Sequence, residues 1–247
     1  MHLIPANPIK KTLRVWLSLL STVALLSLTG TLFWYQDWQY SLPTPRPNGL
    51  MQPRVGERLS LPPALARLVE RTRKPVALHF FNPDCPCSRF NLDHVRTLVQ
   101  RYGSHVEFVA VLQGKNDGHP DTLLKAFRKT HLEVLALPDL AGSIARACGV
   151  YSTPQAVVIN GTKLFFRGNY NLSRYCATRE TEFVRIALDA LLAGKAPPKF
   201  GEPSSLAYGC ELPPRHAAVA TAARVSGELK MMGANRQRLQ AAESNTN

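Results

Sequence analysis

Apolar residues are distributed along the chain in three ways: one unbroken run, a long periodic stretch, and sparse flanks. Residues 15–35 (VWLSLLSTVALLSLTGTLFWY) carry no charge, and about 20 such residues suffice for a helix to cross the hydrocarbon layer of a bilayer. They predict a transmembrane helix. Beyond it, residues 36–60 hold Pro43, Pro45, Pro47 and Pro53 among few apolar side chains, the pattern of an extended spacer. A short helical pattern follows over 64–70. The run Val76-Ala77-Leu78-His79-Phe80-Phe81, closed by Asn82-Pro83-Asp84, predicts a buried strand. Pro86 suits a first helical position, and Phe90, Val95, Leu98 and Val99 continue at helical spacing until Tyr102-Gly103. Residues 106–112 predict a second strand, 121–129 a helix, 133–136 a short strand and 141–147 a short helix. Strands over 155–159 and 163–167 are joined by the hairpin turn Asn160-Gly161. A last helix over 180–192 places Phe183, Ile186, Ala187, Ala190 and Leu191 on one stripe and stops at Gly194. Residues 212–247, with scattered apolar positions, predict a mobile or weakly helical tail.

The resulting order, strand and helix alternating three times before a hairpin and a final helix, predicts an α/β fold. Its central mixed sheet is flanked by helices, with parallel crossovers early and a hairpin late.

Charge changes this picture less than its size suggests. The 247 residues carry a formal +13. Segments 1–14, 15–74, 75–211 and 212–247 hold +3, +4, +3 and +3, and the third has fifteen basic residues against twelve acidic ones. The predicted domain is close to neutral and shows no zinc-finger, helix-turn-helix or RNA-binding aromatic signature, so nucleic acid is not an expected partner. Lys10, Lys11 and Arg14 precede the apolar run without an acid, which places the N-terminus in the cytoplasm and the rest outside it. Phe33-Trp34-Tyr35-Gln36-Asp37-Trp38 offers no small-x-small cleavage site, favouring an uncleaved anchor over a removed signal peptide. In a Gram-negative bacterium the anchor lies in the inner membrane, the domain faces the periplasm, and disulfides are permitted there.

Cys85-Pro86-Cys87 lies where the first buried strand passes into a helix. Unpaired N–H groups and the macrodipole at a helix start stabilise thiolate, the nucleophilic form. Cys85 is the expected attacking thiol and Cys87 the resolving one. Asp84 opposes thiolate formation and Arg89 offsets it. A one-residue spacing closes a small ring, which predicts an easily reduced couple. Cys148 reads as a buried small residue. Cys176 and Cys210 flank the last helix and its loop and suit a structural disulfide, although spacing fixes no connectivity and five cysteines leave one odd. His94, His105, His119 and His131 share no repeating ligand spacing. Tyr151-Ser152-Thr153-Pro154 precedes a strand directly, a setting for a cis peptide bond.

A strand ending in Phe-Phe-Asn-Pro-Asp-Cys, a helix opening at the cysteines and a later Gly-Val-Tyr-Ser-Thr-Pro-Gln resemble the thioredoxin fold. More narrowly, with Leu137-Pro138-Asp139 and its short helix, they are similar to bacterial membrane-anchored, thioredoxin-like proteins of the cytochrome-c-maturation type. The resemblance covers residues 74–196. It implies a thioredoxin-like three-layer sandwich over 74–211, behind an anchor at 15–35 and a spacer and short helix at 36–73. It also implies that Cys85 and Cys87 form the redox pair, that Pro154 is the cis-proline facing them, and that the backbone of Thr153 pairs with a substrate chain. His79 falls where such proteins keep a buried acid, making it a candidate proton shuttle. Asp84 stands where the family has tryptophan, and one residue fewer separates the cysteines. An alignment that fixes Pro86-Cys87 puts Asp84 in the nucleophile's place, but the unshifted Phe80-Phe81 favours the deletion. The peroxidatic pattern of peroxiredoxins is absent.

The expected activity is therefore thiol–disulfide exchange with exported proteins and an unidentified redox partner, without a cofactor. The alternatives are copper(I) binding by the thiolates and a redox-inert adaptor that uses the groove beside Pro154.

Overall fold

In the computed structural model, residues 8–114, 119–172 and 179–212 are described. Cys176 and nearly all of the expected tail lie outside them. The chain divides into two compact units, 1–42 and 43–247. The first is helix α1 (Pro8–Ser41). Its stretch Thr12–Gln36 is long and apolar enough to cross a membrane. The hydroxyls of Thr22, Thr29 and Thr31 donate to the carbonyls of Ser18, Leu25 and Ser27 at 2.8–2.9 Å, so their polarity is satisfied within the helix.

The second unit runs, in order, through α2 (Pro63–Thr72), β1 (Val76–Phe81), α3 (Pro86–Phe90), α4 (Leu92–Tyr102), β2 (Glu107–Leu112), α5 (Pro120–Arg128), β3 (Leu135–Pro138) and α6 (Ser143–Cys148). It continues through β4 (Ser152–Thr153), β5 (Gln155–Asn160), β6 (Lys163–Gly168), α7 (Phe183–Leu192) and β7 (Cys210–Glu211). Five strands form one sheet in the order β3-β2-β1-β5-β6. β1 and β2 are parallel, as are β2 and β3, whereas β5 runs antiparallel to both β1 and β6. This is the mixed sheet that the element order implies, in the thioredoxin-like arrangement that the resemblance implies.

All six residues of β1 are buried, because alternating side chains meet apolar layers on both faces. Val76, Leu78 and Phe80 pack in one layer with Leu65 and Val69 of α2 and Ile144 and Cys148 of α6. Ala77 and Phe81 pack in the other with Val95 and Leu98 of α4, Phe127 of α5 and Leu188 of α7.

Four local expectations are corrected. The single helix after the cysteines is two, because the Asn91 side chain donates to the Cys87 carbonyl (3.2 Å) and the chain turns there. β3 lies two residues later than its pattern suggested. The last helix starts at Phe183 rather than Glu180, after a 3₁₀ turn over Arg179–Thr181. Finally, the expected spacer is packed on the domain from Thr44 onward. Thr44, Leu50 and Leu59 are buried. Leu59 N donates to Thr162 O (2.8 Å) and Leu164 N to Glu57 O (2.8 Å), so backbone bonds along the β6 edge hold this stretch despite its few apolar residues.

Candidate functional site

The turn after β1 is built by Asn82. Its Oδ1 accepts the Asp84 N–H (2.9 Å) and its backbone carbonyl accepts the Cys85 N–H (3.1 Å), the local bonding that favours asparagine in turns. Cys85 is thereby held extended at the start of α3, with Pro86 at the first helical position. In the chain that leads towards β4, buried Asp139 accepts the Ile144 and Ala145 N–H groups (3.1 and 2.9 Å) and the Gln113 side-chain N–H (2.8 Å). That carboxylate caps α6 and so fixes the chain leading into β4. The Thr153–Pro154 peptide is cis, and the Thr153 carbonyl oxygen lies 3.8 Å from Cys85 Sγ.

The structure brings Cys85, Cys87 and Thr153 together, with bonding other than expected. Cys85 is bonded to Cys210 rather than to Cys87. A pairing of Cys210 with Cys176 is thus replaced by one across the site. The sulfurs of Cys85, Cys87 and Cys210 all lie within 4.8 Å of one another. Cys85, expected to be the more exposed thiol, is 1% exposed against 6% for Cys87, because β7 lies over it. β7 runs antiparallel to β4, with Cys210 opposite Thr153 and Glu211 opposite Ser152. The backbone of Thr153 is therefore paired, as expected for a substrate chain, but with a strand of its own protein.

His79 sits on the Ala77 and Phe81 face of β1. Its Nδ1 is 2.7 Å from the Tyr170 hydroxyl, while its Nε2 has no hydrogen-bond partner among the described residues. Burial pushes its pKa down to about 3, so the imidazole is neutral at ordinary pH. Tyr170 also meets the His94 ring edge-on at 5.8 Å, and burial lowers the pKa of His94. Cys148 is fully buried, and burial raises its thiol to about 12; it takes no part in the site. Reading the sequence placed Cys210 in a structural disulfide rather than at the site, gave Asp139 no role and did not single out Thr44. The one signal available was the odd number of cysteines.

The family model described as Domain of unknown function (DUF6436) matches residues 56–211. No curated protein matches the chain. Among solved structures, a hypothetical protein from Sinorhizobium meliloti is similar at 21% identity and TM-score 0.53, over 66% of this chain and 95% of that one. An uncharacterized conserved protein from Geobacillus kaustophilus is similar at 22% identity and TM-score 0.52, over 69% and 97%. A protein from Chlorobium tepidum described as a DsbE-type thiol:disulfide interchange protein aligns at 19% identity and TM-score 0.43, over 58% and 99%.

Proposed function

The chain belongs to the DUF6436 family, and from the geometry of its three sulfurs we propose that it is a thiol–disulfide oxidoreductase. The observation that carries this is the placement of Cys85 Sγ, bonded to Cys210, beside the Thr153 carbonyl at 3.8 Å with the Cys87 sulfur in the same 4.8 Å group. Exchange needs an attacking sulfur, a backbone edge to hold the incoming chain, and a resolving sulfur within reach. Once a dithiol partner has reduced the Cys85–Cys210 disulfide, becoming a disulfide itself, Cys85 thiolate attacks a substrate disulfide, forming a mixed disulfide and releasing one substrate thiolate. Cys87 thiolate then attacks Cys85 Sγ, giving the Cys85–Cys87 disulfide and the second substrate thiolate. Two electrons pass to the substrate, and a dithiol partner returns them. Run backwards, the same steps oxidise a substrate dithiol.

We place the domain outside the cytoplasm of a bacterium, in the periplasm and anchored to the inner membrane by Thr12–Gln36. Exported proteins are its substrates. The basic residues before the apolar stretch support this orientation. His79 can act as a proton shuttle only if its imidazole charges in an apolar layer, so the pH profile of exchange in His79→Phe tests that role.

Mass mapping of alkylated protein from cells, with Cys87→Ala/Cys210→Ser to remove both sulfurs that could resolve a mixed disulfide at Cys85, tests the proposal. Partners captured through Cys85 are expected. Thiols that never change redox state and trap nothing would exclude it. The sulfur group also supports a second reading, copper(I) held by three thiolates in the fully reduced protein. Titration of the reduced chain with copper(I) separates the two, because tight binding abolished by Cys85→Ser favours the metal.

A further inference from the structure

Strand β7 occupies the edge of β4 beside Cys85 with the bonding of a bound peptide. Besides the Cys210–Thr153 and Glu211–Ser152 pairs, Leu212 N donates to Tyr151 O at 3.0 Å. The approach is closer than any side chain on Gly209 permits, since a Cβ there would lie 2.1 Å from the Thr153 carbonyl oxygen. Two polar clasps hold the segment leading into it. Thr44 N donates to Ala207 O (2.8 Å), and Thr44 Oγ1 donates to Gly209 O (2.9 Å) and accepts from Gly209 N (3.1 Å). The Asn169 side chain donates to the carbonyls of Pro203 (3.0 Å) and Leu206 (2.6 Å). A purely structural disulfide accounts for the bond between Cys85 and Cys210. It gives no reason for a third sulfur, Cys87, to lie within 4.8 Å of both.

We propose that Cys210 is a third redox-active cysteine and that β7 is an internal substrate, so that the Cys85–Cys210 bond is an intramolecular mixed disulfide. The inference rests on the exchange chemistry assigned above to Cys85 and Cys87. Cys87 thiolate attacks Cys85 Sγ. The Cys85–Cys87 bond forms as the Cys85–Cys210 bond breaks, and Cys210 departs as a thiolate that takes a proton from water. No net oxidation or reduction occurs. Once its covalent hold is gone, β7 can leave, and the β4 edge is open to an extended peptide carrying a cysteine. A peptide in the same register meets the Thr153 carbonyl where Gly209 does, so the preferred partner carries glycine immediately before its cysteine.

The test uses the full chain in detergent, equilibrated in glutathione buffers, acid-quenched and mapped by mass. Unaltered oxidised protein is expected to contain both Cys85–Cys210 and Cys85–Cys87 isomers. Cys87→Ala retains only the first and frees Cys210 about tenfold more slowly. A single Cys85–Cys210 species, released at the same rate with or without Cys87, overturns the proposal. In a second arm, oxidised protein is mixed with a peptide of residues 207–212 at about 0.1 mM. A tethered competitor acts at about millimolar concentration, so Cys210→Ser should form the mixed disulfide at Cys85 about tenfold faster than the unaltered chain. The same peptide with alanine for its glycine should react no faster than an unrelated cysteine peptide. Equal rates for all peptides and both proteins remove the internal-substrate role. Exchange with a small model dithiol by Cys210→Ser reports on Cys85 and Cys87 alone, so their failure and that of Cys210 are told apart.

Discussion

Burial gives the cysteines of this chain different chemistry. Cys148 is sealed between α6 and the sheet, and with its thiol raised to about 12 it supplies almost no thiolate near neutral pH. Cys148→Ala should lower stability by about 1–2 kcal/mol in urea unfolding and leave exchange unchanged, whereas Cys85→Ser should abolish exchange with a model disulfide. His79 makes an equally specific prediction. Its pKa falls from an ordinary 6.5 to about 3 on folding, so between these values the unfolded chain binds more protons than the folded one. Stability should therefore drop as pH falls below 6.5, by up to about 1.4 kcal/mol per pH unit from this group alone. Urea midpoints at pH 7.5 and pH 5 check this, and His79→Phe should show the smaller change. The place of His79 in a buried strand is legible from the run around it. Its partner Tyr170 is 91 residues away, and no periodicity links the two.

At the scale of elements, legibility followed length. β1, β2, β5, β6 and α5 announce themselves because each repeats its apolar spacing often enough to be recognised, and the mixed sheet follows from their order. β4 and β7 have two residues each, too few to show a period, and their pairing depends on a glycine whose need is visible only against the Thr153 carbonyl. The split between α3 and α4 was hidden for a related reason: the Asn91 side chain overrides a pattern that reads as continuous. The site was accordingly half legible, with Cys85, Cys87, Thr153 and Pro154 named by motif and Cys210 not. Gly209→Ala should push β7 off its edge. We expect a loss of about 1–3 kcal/mol and, in the reduced protein, faster alkylation of Cys210, while the five-stranded sheet keeps its far-ultraviolet circular dichroism.

For the whole molecule, the choice of disulfide matters more than its presence. Cys85 and Cys210 are 125 residues apart, and closing a loop of that size restricts the unfolded chain by about 5 kcal/mol in the chain-entropy view. A Cys85–Cys87 bond closes almost no loop. Moving the bond from Cys210 to Cys87 should therefore lower the melting temperature without changing the number of disulfides, which calorimetry of the two trapped isomers can measure. The net charge of +13 lies mostly outside the nearly neutral domain and bears on solubility. Thr44, by contrast, decides where this protein can be cut. The family match begins at residue 56, twelve positions after the hydroxyl that grips Gly209 on both its N–H and its carbonyl. A soluble fragment trimmed to the family boundary keeps all three sulfurs and discards the grip. Its Cys210 would come free more readily than in a fragment beginning at Pro43, and redox potentials measured on the shorter piece would describe a different equilibrium.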